Sequence, residues 1–185
     1  IMRAAESGGS LTFKNTHRTT LTKPSGGIDG VYYKAEEATT DKFWLTWTTP
    51  NQMNVVIALA YNPDAENSFE RFDSMIFSEA VTENFYSLSS DERKLAIQSR
   101  KGDFNTEDKI PLGIKSSETG LQKISVESKY GTFESQPIYL KDKFLNMVTN
   151  LSETPYEFTS VKGVDQNRFE IVFKPGTVLA TDNGI

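Results

Sequence analysis

The sequence predicts an all-β fold: a single antiparallel β-sandwich of jelly-roll type, with about eight to ten short strands and little helix. Two observations carry that expectation. Apolar residues alternate with polar ones over short runs, and turn-forming residues separate the runs at regular intervals. Side chains on a strand point to opposite faces in turn, so a period of two marks a strand with one buried face.

The runs follow one another along the chain. Phe43, Leu45 and Trp47 alternate with Trp44, Thr46 and Thr48, and Leu95 and Ile97 repeat the pattern. So do Ile110, Leu112 and Ile114, then Ile124 and Val126, then Phe169, Ile171 and Phe173. Leu112, Ile124, Val126, Ile171 and Phe173 are accordingly expected in the core. Val55 to Tyr61 is apolar on both faces and reads as a central strand. Its small outer residues Val56, Ala58 and Ala60 are expected to be covered by a loop or to meet a partner. Turn chemistry lies between the runs at Pro50-Asn51, Asn62-Pro63-Asp64, Lys101-Gly102-Asp103, Tyr130-Gly131 and Lys162-Gly163.

One stretch reads two ways. Leu140, Phe144, Val148 and Leu151 recur at helical spacing, yet Ile138–Leu140 and Tyr156–Phe158 alternate. A helix here would start beside Pro137 and carry Asn146, Thr149 and Asn150, all mediocre helix formers. A helix of this length among strands is marginal unless it packs amphipathically. The expectation is therefore a strand over 137–141, a loop, a strand over 146–151, a turn at Ser152–Pro155 and a strand over 156–160.

The chain has 185 residues, enough for one domain with a real core; the expected domain is 1–180, with 181–185 beginning a linker. With no cysteine, disulfides, thiolate metal sites and cysteine nucleophiles are excluded. Twenty basic and 25 acidic residues give a net charge of −5 with no basic stripe, which argues against nucleic acid as a partner. The longest apolar run, Val55 to Tyr61, is far too short to insert across a bilayer as a helix.

Candidate chemistry is sparse. His17 is the sole histidine and stands among polar residues, where a solvated side chain is the expected reading. Acidic pairs abound, but sequence neighbours in turns do not make the cleft of two carboxylates that a glycosidase needs. No catalytic residue is expected. Calcium suits such loops better, because it takes hard oxygen ligands in flexible geometry. The candidates are Asp64, Glu66 and Asp73 in 62–73, with Asp103 and Asp108 in 103–108. Neither loop fits the D-x-[DN]-x-[DN]-G spacing, so no cofactor is the expectation and calcium the alternative. Trp44 beside Thr46 and Thr48 on an outward strand face forms a candidate platform for a sugar ring. The competing reading has the irregular segment Lys23–Asp41, with Tyr32 and Tyr33, covering Trp44.

The strand-rich half carries a recognisable series: Tyr86-Ser87-Leu88, Leu95 to Gln98 with Arg100, and Ile110 to Ile114. It continues with Ile138 to Asp142, Asn150-Leu151, Tyr156-x-Phe158-Thr159 and Arg168-Phe169, with Phe43-Trp44-Leu45 upstream. Over roughly residues 43–174 this resembles the β-sandwich module that precedes the sorting domain in secreted cell-surface proteins of the Bacteroidetes, flavobacteria especially. The resemblance implies export by the type IX secretion system, an extracellular place on the outer-membrane surface, and membership of a multidomain chain. It supplies no catalytic residues. The expected function is a non-catalytic accessory, adhesion or spacer module. Its partners would be the rest of its own chain, the type IX machinery through a following sorting domain, and a surface glycan or protein. The alternatives are a carbohydrate-binding module using Trp44, and a docking domain for a surface or secretion complex. Alternation stops after Phe173, as in a linker, and the resemblance implies that the chain continues past Ile185 into the sorting domain.

Overall fold

Alternating segments become strands only if each finds a partner, and here each does. The computed structural model describes residues 40–175, which form eleven strands and a 3-10 turn at Gly131–Glu134, with no α-helix among the described residues. In chain order the strands are β1 (Lys42–Thr48), β2 (Asn54–Asn62), β3 (Ser74–Met75), β4 (Asn84–Leu88), β5 (Lys94–Lys101) and β6 (Lys109–Ser116). They continue with β7 (Gly120–Tyr130), β8 (Tyr139–Asp142), β9 (Met147–Asn150), β10 (Tyr156–Ser160) and β11 (Gly163–Val172). The fold is all-β. His17, the segment 23–39 and residues 181–185 lie outside the described residues.

The ambiguous stretch resolves into β8, β9 and β10. β8 pairs with both β11 and β9, and β10 pairs with β7, so every segment is hydrogen-bonded across a ladder. Between β8 and β9 the chain turns at Asn146, whose φ of 52° lies in the left-handed region that asparagine tolerates. A helix could not accommodate that residue without breaking.

The strands join into one curved sheet, in the order β10-β7-β1-β2-β5-β4-β6-β11-β8-β9, with β3 beside β5. It curls until it is nearly closed like a barrel. Its facing halves enclose the core, so the two layers expected of a sandwich are parts of one sheet. The strand count exceeds the expected range by β3, a two-residue strand with too little sequence to show a period. β5 turns the corner: its Ile97–Lys101 pairs with β2, and its Lys94 and Leu95 pair with β4. The β2–β5 pairing is parallel, a departure from the expected antiparallel sheet. Parallel neighbours need a long crossover, and residues 63–93 supply it.

Alternation places Phe43, Leu45 and Trp47 from β1 and Ile57, Leu59 and Tyr61 from β2 in the core. Ile110, Leu112 and Ile114 from β6, and Phe169 and Ile171 from β11, meet them from the opposite wall. At one end Phe43, Phe104, Phe133 and Phe173 pack with centroids 4.7–6.1 Å apart, edge to face except for the tilted Phe133–Phe173 pair. At the other end Tyr156 stacks on Phe158 and meets Phe169 edge-on, while Phe158 and Phe169 are tilted against each other. Trp47 is fully buried, and its indole N–H donates to Gln122 Oε1 at 3.0 Å. Gly113, opposite Tyr86, is required: a Cβ there would lie 2.2 Å from the tyrosine ring.

Two expectations need correction. Val126 is only partly buried, because the β1–β7 register shifts beside Leu45, its partner. A bulge of this kind rotates the strand and loosens the cover over its neighbours. Ile97 pairs with Ala58 and shares its outer face, where it is exposed, whereas Leu95 is fully buried.

Ile171→Ala should therefore destabilise the domain by about 2–5 kcal/mol in chemical denaturation, through lost transfer energy and a residual cavity. Val126→Ala should cost clearly less. Equal losses at the two positions would show that the difference in burial is not real.

Candidate functional site

The two ends of the strand order, β10 on one side and β8–β9 on the other, face each other across a seam. Asp142, the last residue of β8, is fully buried there. Its Oδ1 accepts the backbone N–H groups of Phe144 at 2.9 Å and Leu145 at 3.1 Å, which shapes the turn into β9. Its Oδ2 accepts the Tyr156 hydroxyl from β10 at 2.7 Å. The same oxygen accepts Nε and Nη2 of Arg168 from β11, at 2.9 and 2.7 Å. Burial by itself raises the Asp142 pKa. The Arg168, Tyr156 and Leu145 donors outweigh it and hold the carboxyl below the usual range. Burial and the adjacent carboxylate push the Tyr156 phenol up to about 12.

Arg168 is aimed by an irregularity. The β11–β6 register shifts between Asp165 and Phe169, and bulges commonly redirect a side chain in this way. Its guanidinium carbon lies 4.8 Å from the Phe169 ring centroid, 5.1 Å from Phe158 and 5.5 Å from Phe144. Above it opens a groove of about 540 Å³. Lys143 and Phe144 from the β8–β9 turn, Ser160 from β10, and Asp165, Asn167 and Arg168 from β11 form its walls. Phe144 is 79% exposed.

A second tyrosine–aspartate–arginine cluster repeats the chemistry elsewhere. Tyr61 donates to Asp108 Oδ2 at 2.8 Å, and Arg100 grips the same carboxylate with Nε and Nη2 at 2.9 and 2.5 Å. Burial drives the Tyr61 phenol far above its ordinary value, with Asp108 adding to the effect. Asp108 is thus held by internal donors, not presented as an open calcium ligand.

The other calcium candidates fall into similar roles or into solvent. Asp73 accepts the N–H of Ser99 at 2.8 Å and that of Glu70 at 3.0 Å. Asn67 accepts the N–H of Lys101 at 3.0 Å, and Glu66 pairs with the Lys101 ammonium at 2.9 Å. Ser99 and Lys101 follow Ile97, which pairs with Ser74 of β3, so these loop side chains continue the ladder that β3 begins. The acidic loop 62–73 is in this sense an edge cover for β5. Asp64 and Asp103 are exposed and separate from these contacts. Among the described residues no group of three or more acidic or histidine side chains converges as metal ligands.

On the outer face of β1, Trp44 is half-buried, with Tyr130 edge-on at 5.6 Å and the Lys42 ammonium 5.9 Å from its ring centroid. Thr46 is buried, contrary to the expected outward hydroxyl, and donates to Glu127 Oε2 at 2.7 Å. Thr48 is half-buried and donates to Asn54 Oδ1 at 2.9 Å. The three do not form an open platform, since both hydroxyls are engaged within the sheet. Val56 is exposed, while Ala58 and Ala60 are half-buried.

Sequence reasoning missed the seam groove. Asp142, Tyr156 and Arg168 are spread over 26 residues with no local motif, and Phe144 read as one more apolar residue of an ambiguous stretch. The available signal was the pair of charges bordering apolar strand residues, Leu140-Lys141-Asp142 and Arg168-Phe169, since buried charge demands a partner.

Residues 1–173 match the model of a protein family described as a domain of unknown function, DUF8693. No curated protein and no solved structure matches the chain.

Asp142→Asn should cost about 3–5 kcal/mol, because it leaves the Arg168 cation without its buried partner. The pH dependence has a definite sign. A carboxyl whose folded pKa is depressed stabilises the fold above its unfolded value, near 3.9, and that contribution vanishes as pH falls through the folded value. The wild-type domain should therefore lose this contribution on acidification, and Asp142→Asn should not. Asp73 has the opposite sign. Burial, above all, raises its pKa, so its contribution is present below the unfolded pKa and declines as pH rises through the folded one. Parallel acid-denaturation curves for wild type and Asp142→Asn would refute the Asp142 assignment.

A chelator should leave the melting temperature unchanged, because the carboxylates of Asp73, Asp108 and Glu66 already have protein donors. A clear drop in differential scanning calorimetry would return them to the role of calcium ligands.

Proposed function

The chain belongs to the DUF8693 family, and from that premise we propose that this domain is a non-catalytic accessory module that docks onto a protein surface. It does so through the outer face of β1, β2 and β5. The observation that carries the reading is the register across that face. Ser128, Trp44, Ala58 and Ile97 are consecutive partners on β7, β1, β2 and β5. Val56, two residues from Ala58 on β2 and opposite Thr46, is 45% exposed, and Ile97 is 46% exposed. Scattered apolar side chains on a surface are ordinary, but adjacent ones on paired strands form a patch, and patches mark contact sites. Small residues such as Ala58 and Ala60 keep the patch flat, which suits another folded surface better than a small molecule.

The resemblance drawn from the sequence supports the setting. In this reading the module works outside the cell, at the outer-membrane surface, as an adhesion or spacer unit of a larger chain exported by type IX secretion. The surface partner is the rest of that chain or a neighbouring surface protein. The role needs no catalytic residue, and the domain alone should hydrolyse no member of a polysaccharide or ester panel.

The test compares the domain alone with the domain in its full-length parent on the cell surface. Hydrogen exchange in β1, β2 and β5 should slow in the parent, and Val56→Glu with Ile97→Glu should abolish that extra protection. Both sites are exposed, so the isolated double variant should melt at the wild-type temperature. Identical exchange in both settings would sink the docking reading, and antibody labelling confined to permeabilised cells would sink the extracellular one.

A further inference from the structure

The seam groove is a separate feature from the docking face and has a chemistry of its own. Its floor is preorganised: the Asp142–Arg168 pair locks the guanidinium, and the Phe144 and Leu145 N–H bonds to Asp142 lock the turn that presents the Phe144 ring. A ring that is 79% exposed yet carried by a backbone held in place offers a stacking face with little ordering left to do on binding. Beside it are donors in excess of acceptors. Lys143, whose ammonium keeps a loose 4.0 Å contact with Glu170, borders the groove with Asn167 and Ser160, and Asp142 engages Nε and Nη2 of Arg168 but not Nη1. The one carboxylate on the wall, Asp165, accepts the Arg168 backbone N–H at 3.2 Å. Asp142 itself is fully buried behind the wall.

We propose that this groove binds an acidic saccharide, a ring bearing a carboxylate of the hexuronate kind. The apolar C–H face of the sugar ring stacks on Phe144. Its carboxylate lies between the Lys143 ammonium and Nη1 of Arg168, and its hydroxyls meet Ser160 and Asn167. A sugar acid matches all three features at once: a flat apolar face, acceptors in excess, and one negative charge. A volume of about 540 Å³ is within the usual range for a small-ligand site. An acidic peptide would match the charge but leave the exposed ring without a stacking partner.

The experiment titrates the 185-residue chain with tri-galacturonate, neutral galactotriose and triglutamate by isothermal calorimetry. Tri-galacturonate should bind most tightly, and Phe144→Ala and Lys143→Ala should each weaken it at least about tenfold. Trp44→Ala should change nothing. Phe144 and Lys143 are exposed, so both variants should retain the wild-type melting temperature, and the comparison does not depend on altering the buried Arg168. Equal binding of galactotriose would overturn the role of charge, and equal binding of triglutamate would assign the groove to acidic peptides. No detectable binding of tri-galacturonate, or binding indifferent to Phe144→Ala, would overturn the site.

Discussion

The carboxylate of Asp142 is the constraint on which the closure of this fold depends. One side chain accepts donors from the β8–β9 turn, from β10 and from β11, so a single residue ties both ends of the sheet order together. A buried carboxylate is tolerable only when its lone pairs are satisfied, and here they are met by two backbone N–H groups, a phenol and a guanidinium. The requirement works in both directions. Arg168 and Tyr156 could not stay in an apolar wall without Asp142, and the aromatic rings packed around the guanidinium take their positions from it.

The Tyr61–Asp108–Arg100 cluster meets the same requirement where β2, β5 and the approach to β6 converge. Both clusters place the aspartate at or beside a strand end and draw the tyrosine and arginine from two different strands, β2 and β5 in one and β10 and β11 in the other. Polar groups in such positions bring specificity of pairing more readily than stability, because a strand slipped by one residue would bury the charges unpaired. The domain thus has an aromatic core for adhesion between its walls and ionic clusters that set register.

The edge of β5 shows how a sheet corner is made without leaving backbone donors exposed. β3 is only two residues long, yet the N–H groups of Ser99 and Lys101 beyond it are met by Asp73 and Asn67. That is why the crossover loop is rich in acids and amides. The same composition would suit a cation site, so composition alone cannot separate the two roles. The difference lies in what the oxygens face, which is backbone N–H.

Alternation in the sequence determined the all-β class, the placing of most strands and most of the core, because a period of two is local and each strand carries its own evidence. It also settled Ile138–Ser160 as three strands, since poor helix formers at Asn146, Thr149 and Asn150 are a local property too. The exceptions, Val126 and Ile97, lie where a register shift or the corner strand changes which neighbour covers a side chain. Only the tertiary structure decided the parallel β2–β5 pair, the burial of Thr46 and the roles of the loop acids. It alone decided that Asp142, Tyr156 and Arg168 meet beside Phe144. These depend on which distant segments become neighbours, and a chain of alternating residues does not encode that in any stretch short enough to read.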